Sequence, residues 1–223
     1  MKNLLRTTIL SASVASVLFA GGMSDDPLNY KVTLEALEIV HSDEQVFSWD
    51  TNVWLGYDLN KIYIYSEGEK IKDIDAQSET QIVWSNAIAP YWDIQYGLGH
   101  DKTPENSKTW GVISLMGMAP YFFETRTTLL IGEDGNIGLR ASAEYEALIT
   151  QKLHLSPSIG ASAYSKDDES MEIQKGIANI SLGINLKYEI IREFAPYIGI
   201  AYEADVANSK SETNLVTGVS IWF

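Results

Sequence analysis

SLGINLKYEI, residues 181–190, alternates apolar with polar or small residues at every step. Leu182, Ile184, Leu186, Tyr188 and Ile190 fall on one side; Ser181, Gly183, Asn185, Lys187 and Glu189 fall on the other. A period of two sustained over ten residues belongs to a β-strand with one apolar and one polar face. LRASAEYEALI, residues 139–149, repeats the pattern, and Val53, Leu55 and Tyr57 alternate with Asn52, Trp54 and Gly56. Twelve such runs begin near Asn29, Val46, Asn60, Gln77, Pro90, Lys108, Pro120, Ile137, Lys152, Gly176, Ala195 and Thr213. That leaves roughly 17 residues per strand and turn, ample for the 9–11 that cross a bilayer obliquely. A soluble β-sandwich would alternate in the same way, but its strands average about five or six residues.

The connections separate into two kinds. Residues 41–45, 72–77, 101–107, 132–136, 166–174 and 205–212 form long acidic loops, holding 14 acidic residues against four lysines. Between them lie tight turns at 57–60, 87–90, 118–120, 149–151 and 190–194. Long loops on one rim and short turns on the other are the layout of an outer-membrane barrel. Aromatic residues gather near strand ends, among them Tyr57, Tyr91, Trp92, Tyr121, Phe122, Phe123, Phe194, Tyr197 and Trp222, as an interfacial girdle requires. The last strand places Leu215, Thr217, Val219, Ile221 and terminal Phe223 on one face, resembling the signature read by the outer-membrane assembly machinery.

Residues 1–22 read as a secretory signal: Lys2 and Arg6, an apolar stretch over 7–19, then Ala20-Gly21-Gly22. The domain reading is a signal peptide at 1–22, a short periplasmic segment at 23–28 and an outer-membrane barrel at 29–223. The fold expected is therefore all-β, a transmembrane antiparallel up-and-down β-barrel of about 12 strands after a cleaved signal peptide. Outer-membrane lipid is its surrounding medium, and both termini are expected in the periplasm.

Of the 223 residues, 30 are Asp or Glu, 16 are Lys or Arg and none is Cys, giving a net charge of −14. That balance argues against nucleic acid as a partner, since a phosphate-binding surface needs a basic stripe. The absence of cysteine excludes disulfides, thiolate zinc sites and thiol nucleophiles. If the apolar faces meet lipid, the interior carries Tyr63, Tyr65, Glu67, Glu69, Asp93, Gln95, Glu124, Arg126, Arg140, Glu144, Glu146, Lys187, Glu189 and Glu203. Two readings of this interior stand side by side. Glu124, Arg126, Arg140 and Glu144 can neutralise one another and plug the lumen, or an acidic lumen can attract cations.

Catalysis is not expected. His154 and Ser156 share a face, but that face is the polar one, and a membrane hydrolase needs its nucleophile towards lipid. As metal ligands, Met116 and Met118 stand two apart in one run, so their thioethers point the same way. Paired thioethers with a nearby imidazole suit Cu(I), although two Met residues also fill space well. His41 and His100 sit at the starts of acidic loops, where a divalent ion can bind.

DDPLNYKV (25–32), WLGYDLNKIYIYSEGE (54–69), PYWDIQYGLGHD (90–101), TWGVISLMGMAPYFFE (109–124), LRASAEYEALITQKLH (139–154), KYEIIREFAPYIGIAYE (187–203) and the closing SETNLVTGVSIWF (211–223) resemble the copper resistance protein B family. The resemblance runs in order along nearly the whole exported chain. It implies an outer-membrane protein of copper homeostasis that binds or sequesters copper ions, as Cu(I) or Cu(II), or helps them pass. It also implies a periplasmic multicopper oxidase as a partner. Family members often carry a Met- and His-rich arm before the Asp-Asp-Pro segment, where this sequence has Met23-Ser24. Copper ligands are therefore expected in the barrel or its loops, with Met116, Met118 and His100 as candidates in a matching segment. The alternative is a small cation-preferring porin, or a structural barrel with no selective metal site.

Overall fold

The structure is a computed structural model describing residues 26–42, 45–72, 74–206 and 208–223. The expected signal at 1–22 and positions 23–25 lie outside the described residues. Thirteen strand segments follow in order: β1 (Asn29–His41), β2 (Gln45–Gly56), β3 (Asn60–Ile71), β4 (Gln77–Ala89), β5 (Trp92–Lys102), β6 (Ser107–Ala119), β7 (Phe123–Gly132), β8 (Ile137–Glu144), β9 (Ala147–Leu148), β10 (Leu153–Tyr164), β11 (Gly176–Tyr188), β12 (Phe194–Asp205) and β13 (Lys210–Trp222). Each pairs antiparallel with its chain neighbour, and β13 returns to pair with β1. The sheet closes on itself, with only the two-residue β9 paired on a single side among the described residues, and closure is what lipid demands of a spanning β-structure.

Twelve staves close the ring, because β8 and β9 are two pieces of one. Glu144 pairs with Ser158 and Ala147 with Leu155 on the same strand β10. The alternation over 139–149 suggests an unbroken strand, and the break is local. Tyr145 N–H donates to the Pro157 carbonyl at 3.0 Å, but Pro157 has no N–H to return the bond. Two other expected starts shift for a related reason. Pro90 and Pro120 belong to turns, and β5 and β7 begin at Trp92 and Phe123. Both turns read Ala-Pro-Tyr, with Tyr91 and Tyr121 at φ 68°, a strained conformation for a bulky side chain. Their rings project into the surroundings, 77% and 83% exposed, as an interfacial girdle does.

The connections alternate between rims as the sequence suggests, but the strands reach further than expected. Asp101, Lys102, Lys210 and Glu212 belong to strands rather than loops. Only the 165–175 connection exceeds five residues on the loop-side rim. It folds down onto the β7–β8 turn. Asn136, fully buried, accepts from Ser165 Oγ at 3.1 Å and from Lys166 N–H at 3.2 Å. Lys108 Nζ joins both segments, 2.9 Å from Asp134 and 2.6 Å from Asp168.

Hydrogen bonds from Lys108 hold both carboxyls below the usual aspartate range. Groups lowered on folding contribute stability that is complete above the unfolded value, about 3.9, and is lost as pH falls through their lower folded values. Amide-exchange protection over 165–175, corrected for intrinsic rate, is expected to stay constant from pH 7 to 5. It should collapse below about pH 3; persistence at pH 2 would mean the loop is anchored by something else.

Alternation sends Ile62, Ile82, Ile113, Leu139, Leu182 and Ile200 outward, each more than 40% exposed. The inner face is less polar than the sequence reading supposes. Val83, Trp110, Val112 and Leu130 point inward and are at most 2% exposed. Inward glycines make room for them and for Tyr164. A Cβ on Gly138 would lie 2.8 Å from the Tyr164 ring, and one on Gly132 would lie 3.0 Å from the Trp110 ring. Among the described residues no helix is long and apolar enough to cross a membrane; the strands do the crossing.

Candidate functional site

Two arginines brace the lumen, Arg140 in its loop-side half. Arg140 on β8 reaches Glu79 on β4, Asp101 on β5 at 2.7 Å and the Tyr164 hydroxyl at 2.8 Å. Trp110 Nε1 donates to the same Asp101 carboxylate at 2.8 Å. Arg126 on β7 donates to Gln81 Oε1 at 2.7 Å and stacks 3.8 Å above the Tyr65 ring. The expected neutralising network therefore exists with other partners: Glu79 and Asp101 in place of Glu124 and Glu144. Glu144 instead meets Lys187 at 3.2 Å. Asp101 escaped notice because a charged residue near a rim reads as loop. Glu79 has the right parity with Gln77 and Gln81, and that parity is the signal that could have found it.

Across β1 to β3 the inner wall is dominated by carboxylates. Glu35 occupies a bulge in β1, where Leu34 and Ala36 face consecutive residues of β2, and accepts from Asn52. Glu38 accepts from Tyr197 Oη at 2.7 Å and from Ser48 Oγ at 3.2 Å. Asp50 and Glu67 are direct cross-strand neighbours. Glu35 and Asp50 were absent from the sequence-based interior, the first because a bulge resets parity.

Met116 and Met118 both face the lumen, as their spacing requires. Tyr65 Oη donates to Met116 Sδ at 3.3 Å, and Gln95 Nε2 lies 3.8 Å from the same sulfur. Met118 is one pleat nearer the turns, opposite Glu124, in a row that continues through Glu144 to Ser158. His100 does not join them. It stands on the outward face of β5, exposed, with Nδ1 3.3 Å from Thr109 Oγ1. His41, also exposed, contacts Thr217 Oγ1 at 2.9 Å.

The imidazole that does face inward is His154 on β10, 6% exposed. Its Nδ1 is bound to Glu146, and its Nε2 lies 3.6 Å from Glu189 Oε1 without a hydrogen-bond partner. A carboxylate acceptor at Nδ1 fixes a proton there and turns Nε2 away from it. Neighbouring Ser156 Oγ, 1% exposed, also lacks a partner, so the two do not hydrogen-bond to each other. The sequence showed the shared face of His154 and Ser156 and set Glu146 and Glu189 inside, but not their meeting with His154: Glu146 lies in the break between β8 and β9 and Glu189 just after β11. Among the described residues no three His, Asp or Glu side chains converge to hold a metal ion.

A family model described as copper resistance protein B precursor matches residues 28–223. Copper resistance protein B of Escherichia coli is 37% identical over 210 residues, covering 89% of this chain and 71% of that protein. A copper resistance protein B homolog of Pseudomonas syringae pv. tomato is 31% identical, covering 82% of this chain and 65% of that one. Among solved structures, the KdgM porin superposes with a TM-score of 0.55 at 12% identity, covering 86% of this chain and 99% of the porin. The NanC porin gives 0.56 at 12% identity, with the same coverage. At that identity the likeness is one of fold: a narrow, closed, porin-like barrel.

Proposed function

The chain belongs to the copper resistance protein B family, and from that premise we propose that this outer-membrane barrel serves copper resistance by holding copper ions inside its lumen. The observation that carries the reading is the unpartnered Nε2 of buried His154, with its ring oriented by Glu146 and the Glu189 carboxylate 3.6 Å away. A carboxylate on the far ring nitrogen is the usual support of a metal-binding histidine. His154 and Glu189 supply one nitrogen and one oxygen donor suited to Cu(II), while inward Met118 supplies a thioether suited to Cu(I). Met116 is the lesser donor, since its sulfur already accepts from Tyr65. The carboxylate-rich wall concentrates cations before any ligand is met. The Arg140 brace narrows the loop-side half, which favours retention over free flow.

A second reading has its own support. Glu35, Asp50 and Glu67 would favour cation passage even without a selective site. Metal analysis of folded protein in detergent separates the two. Copper retention by the wild type is expected, with affinity falling about tenfold or more in His154→Ala. Met116→Leu/Met118→Leu should weaken Cu(I) and spare Cu(II). A wild type that retains no copper, with copper sensitivity unchanged in a deletion strain, would sink the binding reading and leave the pore.

A further inference from the structure

The outward wall carries a charge pattern of its own, independent of what the lumen holds. By strand parity no Asp or Glu faces outward from any strand among the described residues, although the chain's net charge is −14. The only outward lysines on strands are Lys70 and Lys102, and both lie at the loop-side rim of one panel, β3 to β5. His100 completes the group. Cross-strand pairing sets Lys102 beside Ser78 and Ser107, and His100 beside Thr80 and Thr109. One pleat nearer the membrane centre, Ile82 pairs with Leu98 and Leu98 with Gly111; beyond them Trp84 pairs with Tyr96.

Directly beneath this cationic and hydroxyl row lies an outward groove of about 500 Å³, lined by Ile82, Trp84, Tyr96 and Leu98, with Thr80 and His100 at its upper end. Gly111 beside Leu98 presents no side chain, so the wall is recessed there. The panel has an apolar trough and, at its headgroup end, two ammonium groups, an imidazole and hydroxyl donors. We propose that this panel is a docking site for a phosphorylated membrane lipid, with an acyl chain in the trough and the phosphate against Lys102, His100 and Lys70. Charge complementarity argues for this occupant. Cations at headgroup depth recognise anionic lipid, and here they stand only above the trough, on a wall otherwise free of charge. A zwitterionic lipid would gain nothing from the missing carboxylates.

Native mass spectrometry of the full barrel released from detergent, titrated with phosphatidic acid or phosphatidylcholine of equal chain length, tests the site. Wild type is expected to retain phosphatidic acid about tenfold or more tightly. Lys70→Ala/His100→Ala/Lys102→Ala should erase that preference, while Lys152→Ala at the opposite rim keeps it. Leu98→Trp, which fills the trough, should weaken both lipids. Each variant's fold is checked by its heat-dependent gel mobility. Equal retention of the two lipids by wild type, or an undiminished preference in the triple variant, would overturn the proposal. So would full displacement by inorganic phosphate, because the trough would then contribute nothing.

Discussion

Replacing Arg140 with methionine is expected to lower the barrel's unfolding free energy by about 3–5 kcal/mol and to raise its ion conductance in planar bilayers. Arg140 is the one cation shared by Glu79, Asp101 and the Tyr164 hydroxyl, which come from three other strands. Asp101, with a side chain 8% exposed, meets no other cation among the described residues, and one of its oxygens already lacks a hydrogen-bond partner. Removing the guanidinium leaves buried carboxylates uncompensated, which costs more than the pair contributed. It also clears the group that reaches across the loop-side lumen. Urea unfolding of reconstituted protein and single-channel recording report the two effects separately. Asp101→Asn combined with Arg140→Met should recover part of the stability and none of the narrowing. Unchanged unfolding and unchanged conductance would show that the brace neither supports nor obstructs.

The second large effect is expected on the outer wall. Ile113→Arg should cost about 2–4 kcal/mol. Ile113 is the middle residue of β6, faces outward and is 45% exposed, so a guanidinium there enters hydrocarbon at mid-depth. Its neighbour Ser114 points the other way, 2% exposed, and shares a 2.9 Å hydrogen bond with Thr128. Ser114→Ala should cost about 1–3 kcal/mol, because the Thr128 hydroxyl, 3% exposed, is left without its partner. A tolerated Ile113→Arg would mean that this face does not meet lipid.

The two pairs of substitutions divide what could be read along the chain from what could not. That Ile113 faces out and Ser114 in follows from alternation alone, because a strand's side chains have a period of two and a one-residue slip would expose every apolar group to the lumen. The twelve staves, the short-turn and loop-side rims and the shared face of Met116 and Met118 were legible for that reason. So was the family, from segments spread along the whole barrel. Where local chemistry breaks the period, the reading erred. Pro157 divides one stave into β8 and β9, a bulge turns Glu35 inward, and Asp101 at a rim looks like loop.

His100 and His154 mark the same boundary within the candidate site. By spacing alone His100 could accompany the thioethers, yet strand parity sets it outside, beside the lipid. His154 shares its polar face with Ser156, a pairing the sequence does not support as catalytic, and the barrel gives it Glu146 and Glu189. Sequence by itself determined the membrane-spanning closed sheet and which face of each strand meets lipid, since both depend on an alternation that any strand carries locally. Only the tertiary structure decided which inward charges meet. Arg140 finds Glu79 and Asp101 across the lumen by curling of the sheet into a ring, which brings residues 61 and 39 positions apart to within contact, and His154 finds Glu189 through the register of β10 on β11.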